Sequence, residues 1–188
     1  MRQTAFLAIA FCLSGPSVSA QQRNIDTQNS TITIHVGKTG IFSGLAHEHE
    51  VTAPIHSGTA DVGSHPSVEV HVDARQLRVT GKDEPEKDRA EVQATMLGPE
   101  VLDSEHFHEI VFKSTSAEPA GPGRWTLRGN LTLHGQTRPV TVEVILKEGH
   151  YIGSATVKQT DFGIKPPGKP GIRAKDEVKV EFDVRLVP

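Results

Sequence analysis

Strict alternation of apolar and polar residues over residues 130–144 constrains the fold of this 188-residue chain more than any other feature. Leu131 and Leu133 alternate with polar residues before a short polar turn, and Val140, Val142 and Val144 do so after it. Side chains of a β-strand point alternately to opposite faces of the sheet, so each segment has one apolar face. The stretch therefore predicts a β-hairpin in a sheet with one apolar side.

The same period recurs along most of the chain. Further strands are predicted where apolar residues alternate or form short runs, at residues 31–36, 68–73, 110–112, 125–133, 140–146, 151–160 and 178–186. Turns rich in Gly, Pro and Asp separate them, and Pro119–Gly123 is predicted to be a hairpin loop. In all, we expect about eight or nine strands.

One segment has the pattern of a short helix. Asp83–Glu86 resembles an N-cap followed by Pro in the first turn. Lys87–Leu97 contains neither Gly nor Pro, and it places Ala90, Ala94 and Leu97 on one helical face. The sequence thus predicts one helical insertion in an otherwise β chain.

The first residues have the features of an export signal. Arg2 precedes the apolar run Ala5–Leu13, and small residues end at Ala20, where a signal peptidase would cut. The run is far shorter than the ~20 residues that span a bilayer. We therefore predict a cleaved signal peptide at residues 1–20, one domain at residues 21–188, and a periplasmic or secreted protein. Cys12, the only cysteine, would be removed, leaving no disulfide.

The charge of the chain excludes several partners. The formal net charge is −3 and the isoelectric point is about 6.4, so nothing indicates a nucleic-acid partner. No basic run is long enough to hold the protein on a membrane, and we expect no stable membrane insertion. An exposed helix would offer a surface for a homodimer.

A meander of antiparallel strands with one helix has two simple closures, a sandwich or an up-and-down barrel. Closure of the sheet removes the exposed strand edges that would otherwise invite aggregation. A barrel of about eight strands is just wide enough to be filled by side chains or to hold one small ligand.

Several motifs together resemble the YceI-like family. They are Ile110–Ser114, the segment Gly129–Gly135 followed by Thr137–Val140, and the tetrad Asp161-Phe162-Gly163-Ile164. The spaced residues Ile25, Asp26, Ser30, Ile32 and Val36 also fit the family. The resemblance implies an all-β fold, namely a lipocalin-like antiparallel up-and-down β-barrel of about eight strands with a short helical insertion. It also implies an exported protein, not an enzyme, that holds an isoprenoid or quinone-type molecule in an apolar lumen.

A lumen for such a ligand needs apolar walls, because each buried methylene contributes ~0.8 kcal/mol. The candidate wall residues are Phe42, Leu45, Met96, Leu97, Val101, Leu102, Phe107, Phe112, Leu131, Leu133, Phe162 and Ile164. The alternative is that these residues fill a packed core, since period-two alternation does not separate a pocket from a core.

Histidine pairs suggest a second hypothesis. His47 and His49 share one face of a strand, and His106 and His108 repeat the same spacing. Two imidazoles bind a transition metal weakly, so a zinc or copper site would need a third ligand. Without one, the pair is a solvated strand end. The second function considered is therefore a periplasmic metal-binding or stress-response protein.

No catalytic motif accompanies these features. The chain lacks a Gly-x-Ser-x-Gly elbow, a phosphate-binding loop and a His-Glu-x-x-His helix. His134 and Asp161 are interpreted as turn residues that bond to the backbone. The third alternative is an interaction module whose barrel is filled and holds no ligand.

Overall fold

The structure is a computed structural model, and it describes residues 22–41, 48–81 and 86–188. The predicted signal peptide lies outside the described residues and stays a prediction. The strands are β1 (Gln22–Asn24), β2 (Thr31–Val36), β3 (Lys38–Thr39), β4 (His49–Thr52), β5 (Ile55–Asp61), β6 (Ser67–Asp73), β7 (Arg78–Val79), β8 (Glu109–Gly121), β9 (Arg124–Leu133), β10 (Gln136–Lys147), β11 (His150–Lys158), β12 (Gly168–Lys169), β13 (Ile172–Ala174) and β14 (Glu177–Val184). The helices are α1 (Glu86–Leu97) and the 3₁₀ helices Ala74–Gln76 and Gln159–Phe162.

Eleven strands form one antiparallel sheet in the order β1-β5-β6-β8-β9-β10-β11-β14-β2-β4-β7. Three of the strands around the ring are broken in two: β1 continues as β2, β4 as β5, and β6 as β7. Counted this way, the described residues form a ring of eight strands. The barrel predicted from the family resemblance is confirmed.

The ring closes where the broken β1–β2 strand meets β14 and the segment after it. β2 pairs with β14, and Ile25 forms a β-bridge with Leu186. The amide of Val187 donates to the carbonyl of Asn24 at 2.8 Å. On its other side the broken strand pairs with β5 and β4, so neither edge of the sheet is left open along its whole length.

A turn explains the break between β1 and β2. The Asp26 carboxylate accepts the amides of Gln28 and Asn29, both at 3.2 Å, as in an Asx-turn. The side-chain amide of Asn29 also donates to this carboxylate and lowers the pKa of Asp26. After the turn, the Ser30 hydroxyl accepts the amide of Arg185 at 3.0 Å and returns the chain to the barrel.

The hairpin of β9 and β10 confirms the strongest sequence prediction. Leu133 pairs with Gln136 across a two-residue turn of His134 and Gly135, which have φ values of 50° and 68°. Two consecutive positive φ values define a type I′ turn, whose twist matches that of the strands. The hairpin loop predicted at Pro119–Gly123 is shorter in the structure, where only Pro122 and Gly123 lie between β8 and β9 and the three residues before them belong to β8.

Helix α1 is present within one residue of the predicted bounds, but it packs with a different face. Ala90 and Ala94 are exposed, whereas Val92, Met96 and Leu97 pack against the core. The predicted face was right for Leu97 and wrong for the two alanines, because a polar residue, Gln93, lies on the inner side and bonds to the barrel backbone. Among the described residues, no helix is both long enough and apolar enough to cross a membrane.

Candidate functional site

The inward-facing side chains of the barrel surround an apolar cavity of about 500 Å³. Alternation along β9 and β10 places Leu127, Leu131, Val140 and Val142 on its wall, while the residues between them face outward. A volume of this size falls within the usual range for small-molecule pockets. The strand pattern therefore produces a hollow interior, and part of the barrel is not filled by side chains.

The structure brings most of the predicted wall residues to this cavity. Those on its lining are Met96, Val101, Leu102, Phe112, Leu131, Leu133 and Ile164. Leu97 and Phe162 pack in the neighbouring core instead, and Phe162 is 1% exposed. Phe107 lies on the surface beside His134. Phe42 and Leu45 lie outside the described residues.

One end of the cavity is closed by the helical insertion. Val101 and Leu102 follow α1 and are buried with Leu77, and together they cover the interior. Gln93 fixes the helix over this end, because its side-chain oxygen accepts the Val79 amide at 2.8 Å and its side-chain nitrogen donates to the Leu77 carbonyl at 2.9 Å. The helix thus acts as a lid anchored to β7.

The two family-like motifs meet beside this closed end. The His134 ring donates from Nδ1 to the Phe162 carbonyl at 3.1 Å, which confirms the structural role predicted for His134. Phe107 packs edge-on against the His134 ring, with centroids 4.7 Å apart. Gly163 has a φ of 74° and ends the 3₁₀ helix Gln159–Phe162, so Asp161 lies in a short helical turn, and the bond predicted from its side chain to the backbone stays a prediction.

At the opposite end, the cavity wall reaches the surface. Val62, Trp125, Leu146 and Tyr151 line the cavity near the turns that connect the strands. Leu146 is 39% exposed, and the rings of Trp125 and Tyr151 lie 6.5 Å apart. No described helix covers these turns, so we identify this end as the opening.

Sequence reasoning missed the residues at the opening. Trp125 and Tyr151 are the only tryptophan and tyrosine of the chain. Trp125 lies an even number of positions from Leu127 and Leu131 along β9, and Tyr151 lies an even number of positions from Val157 along β11. Residues at such spacing share one face of a strand, and all five face inward. Extending the period-two pattern to the ends of the strands would have found both aromatic residues.

The cavity offers little to a charged ligand. Among the described residues that line it, Asp61 is the only one with a charged side chain, and none is Lys, Arg or His. The Asp61 carboxylate already accepts the amide of Gly63 at 2.8 Å. At the closed end, the Gln159 side chain donates to the Lys175 carbonyl at 2.8 Å. The interior therefore suits a molecule without a formal charge.

The candidate metal ligands lie on separate elements. His49 is on β4, whereas His106 and His108 follow α1 in the segment before β8. The His106 ring bonds to the Asp103 carboxylate at 2.8 Å, which raises the pKa of His106. In the described part of the chain, no group of three His, Cys, Asp or Glu residues is arranged to hold a metal ion. His47 lies outside that part, so the metal hypothesis stays a prediction.

The outer face of strands β6 and β8 carries ion pairs. Lys113 contacts the Glu69 carboxylate at 2.9 Å, and His71 contacts it at 3.0 Å. These two partners lower the pKa of Glu69, with the Lys113 contact the larger cause. Pairs of this kind on an exposed surface contribute little to stability. They mark the solvent side of the same strands that line the cavity.

Comparison with known proteins agrees with the geometry. The model of the YceI-like domain matches residues 24–186. A UPF0312 protein of Shewanella oneidensis is 26% identical over 179 residues, covering 88% of this chain and 89% of the relative. A UPF0312 protein of Shewanella putrefaciens is 27% identical over 165 residues, covering 81% and 82%.

Solved structures share the fold. Burkholderia cenocepacia BcnA aligns with a TM-score of 0.68 at 17% identity, over 87% of this chain and 99% of that one. A polyisoprenoid-binding domain from Saccharophagus degradans aligns with a TM-score of 0.54 at 11% identity, over 88% and 97%. With the family model spanning nearly all of the barrel, the chain belongs to the YceI-like family.

Proposed function

We propose that this protein binds one long, uncharged apolar molecule of the isoprenoid or quinone type in the barrel cavity and carries it through an aqueous compartment. The observation that carries the proposal is the apolar cavity, which is closed at one end and open at the other. Each methylene that is buried contributes ~0.8 kcal/mol to the free energy of binding, and over a long chain this is enough to hold the ligand without any covalent bond.

The lining favours a neutral ligand over a prenyl diphosphate. Moving a charge into an apolar space is very unfavourable unless an opposite charge or hydrogen bonds compensate for it. No basic side chain among the described residues lines the cavity. A diphosphate placed inside would therefore lack a counter-ion, whereas a hydrocarbon or quinone would not need one.

The ligand is expected to enter with its tail first. The closed end is lined by Leu77, Val101, Leu102 and Ile164, which are all buried. The polar side-chain atoms on the lining near the opening belong to Asp61, Ser67, Trp125 and Tyr151. We propose that the tail lies against the closed end and that a hydroxyl or quinone head remains near the opening.

We also propose that the protein is exported to the periplasm and that it acts by binding and not by catalysis. Relatives in the family and a structural neighbour named as a polyisoprenoid-binding domain support a binding role rather than an enzymatic one. A signal peptide at residues 1–20 would deliver the protein to the periplasm, where an apolar molecule needs a carrier. Determining the N-terminus of the exported protein by mass spectrometry tests this part.

The decisive experiment compares an inward and an outward substitution on β9. Leu133→Trp narrows the cavity, whereas Asn130→Trp places the same ring on the exposed outer face. Lipid extracts of protein purified from its own host are analysed by mass spectrometry, and binding of solanesol, ubiquinone-10 and a polyprenyl diphosphate is measured from detergent.

We expect wild type and Asn130→Trp to carry a neutral lipid and Leu133→Trp to carry none. Binding of neither solanesol nor ubiquinone-10 by wild type would contradict the carrier function. Preferred binding of the polyprenyl diphosphate would contradict the neutral ligand class. Equal lipid content in the two tryptophan variants would show that the ligand binds elsewhere.

A further inference from the structure

The open end of the barrel has an exposed apolar rim that is continuous with the cavity. We define the rim as the turns 61–67, 121–125 and 146–151 together with residues 184–187. Leu146 both lines the cavity and is 39% exposed, and Val187, in the segment after β14, is 42% exposed. The Leu146 amide donates to the Gly123 carbonyl at 2.7 Å, which holds two of the turns together. An apolar surface thus runs from the cavity to the outside.

Transfer of the ligand across this rim depends on what the rim faces. A hydrocarbon ligand that leaves the cavity for water loses ~0.8 kcal/mol of binding free energy for every methylene that becomes exposed. Departure into an apolar phase avoids that loss. The opening is therefore suited to exchange only where it meets another apolar environment.

The rim is positively charged, although the chain as a whole has a formal net charge of −3. The rim carries three basic residues, Arg124, Lys147 and Arg185, against two acidic ones, Asp61 and Glu148. Of the residues that border it, Arg23 on β1 is basic and Asp183 on β14 is acidic. The helical lid, over residues 86–108, carries six acidic and two basic residues. The rim is thus suited to binding a negatively charged surface, since each Lys or Arg near anionic lipid contributes ~1 kcal/mol to the free energy of membrane binding.

We propose that the rim docks on the surface of a bilayer that contains anionic lipid, so that the cavity opens onto the acyl chains. This inference rests on the proposed function and adds the partner with which the ligand is exchanged. A second copy of the chain fits the rim less well, because rim-to-rim contact would oppose like charges. The exposed apolar residues are also few for an interface, which typically buries about 800 Å² per partner.

Trp125 provides a built-in probe of docking, because it lies at the rim and is the only tryptophan of the chain. The purified protein is floated with vesicles of phosphatidylcholine alone and with vesicles that also contain phosphatidylglycerol. Neither vesicle contains an isoprenoid, so the assay reports docking without ligand. Brominated lipids test whether the Trp125 ring reaches the acyl region, where they quench its fluorescence.

Two pairs of variants separate the rim from the lid. Arg124→Gln/Lys147→Gln removes two rim charges, and Lys87→Gln/Arg89→Gln removes two on α1. The apolar contribution is tested with Val187→Glu, and with Ile41→Glu as a control at an exposed site away from the rim. The substituted residues do not line the cavity, so binding of ubiquinone-10 from detergent should be unchanged in all four.

We expect wild type to float with the anionic vesicles and its tryptophan to be quenched. The rim charge variant should bind about 30-fold more weakly, as the loss of two cations near anionic lipid implies. Val187→Glu should also weaken binding, whereas both controls should match wild type.

The experiments distinguish a failure of membrane docking from a failure of the carrier function. Wild type that binds ubiquinone-10 from detergent but does not float with either vesicle would overturn docking and leave the carrier function standing. Equal vesicle binding by the rim and α1 charge variants would also overturn it. A dimer in sedimentation experiments that Val187→Glu dissociates would overturn it too, by assigning the rim to a second copy of the chain.

Discussion

His134 and Phe162 show how single residues can join segments that are far apart in the chain. The imidazole of His134 donates to the backbone carbonyl of Phe162 at 3.1 Å, while its own backbone holds a φ of 50° in the β9–β10 turn. Phe162 itself is 1% exposed. These residues set the position of the 3₁₀ helix against the barrel, and they do so from outside the cavity.

Removing the Phe162 ring should lower stability strongly. Phe162→Ala leaves a space among Val157, Ile164 and Val178, which pack in the same cluster. Substitutions of this kind lower the free energy of unfolding by about 3–5 kcal/mol. Urea unfolding followed by circular dichroism measures the change. Phe107→Ala, at a site that is 36% exposed, should produce a clearly smaller loss; equal losses would contradict the assignment of Phe162 to the core.

Asp73 gives the protein a stability that depends on acid pH. Its carboxylate accepts the side chain of Arg75 at 2.7 Å, and this contact is the main reason why the pKa of Asp73 is lowered from 3.8 to about 2. Because the folded-state pKa is below the unfolded one, the stabilisation is complete above about pH 4 and disappears as the pH falls toward 2.

Asp73→Asn should therefore reduce the free energy of unfolding at neutral pH and have progressively less effect below pH 4. Denaturant unfolding at a series of pH values measures the difference between the two proteins. Glu86→Gln, at an exposed position on α1, serves as a control without this dependence. A difference between wild type and Asp73→Asn that stays constant down to pH 2 would exclude this contact as its source.

Among the elements, local sequence predicted some strands well and missed others for identifiable reasons. The β9–β10 hairpin depends on its own alternation and a type I′ turn, so neighbouring residues are enough to define it. The strand β4–β5 contains Pro54 and Gly58 and has little apolar alternation. Gly58 is required by tertiary structure, since a Cβ there would lie 2.6 Å from the Ile25 side chain.

The α1 helix shows how tertiary contacts override a simple helical pattern. The apolar pattern selected Ala90 and Ala94 as the buried face, but the helix is fixed by a polar residue. Gln93 accepts the Val79 amide and donates to the Leu77 carbonyl, which also accepts the Arg78 guanidinium at 2.8 Å. Nothing in the sequence around Gln93 identifies those distant backbone groups.

Gln93→Ala should loosen the lid. It removes the side-chain acceptor of the buried Val79 amide, which costs about 1–3 kcal/mol, while the Leu77 carbonyl keeps its bond from Arg78. Hydrogen exchange should show faster exchange of the Val79 amide, with little change in strands β9 and β10. Thr95→Ala, at an exposed site on the same helix, is the control. Unchanged protection of Val79 in Gln93→Ala would show that the lid is held by apolar contacts alone.

At the level of the whole molecule, the sequence indicated a closed β fold but not how the ring is completed. Three breaks in the strands and the bridge between Ile25 and Leu186 depend on residues far apart in the sequence. Whether inward residues meet or leave a space is also a property of the complete barrel. For this reason the predicted wall residues included Phe162, which is core and does not line the cavity.

A hollow barrel should gain stability when the cavity is occupied. A ligand present at a hundred times its dissociation constant stabilises the folded state by about 2.7 kcal/mol. For a chain of this size, that corresponds to a rise in the melting temperature of about 5–11 °C. Differential scanning fluorimetry with and without ubiquinone-10 measures the shift. Leu133→Trp should show none, and a rise of the same size in that variant would place the stabilising site outside the cavity.

The bond from the Val187 amide to the Asn24 carbonyl has a practical consequence. Since it holds β1 next to the segment after β14, Gln22 and Pro188 both lie at the entrance end of the barrel. If the protein has the proposed function, affinity tags attached at either of these positions should crowd the entrance and slow lipid uptake. The turn Pro170–Gly171 lies between β12 and β13, next to Lys169, whose ammonium contacts Glu91 on the lid helix at 3.5 Å. A tag inserted in that turn would leave the entrance clear.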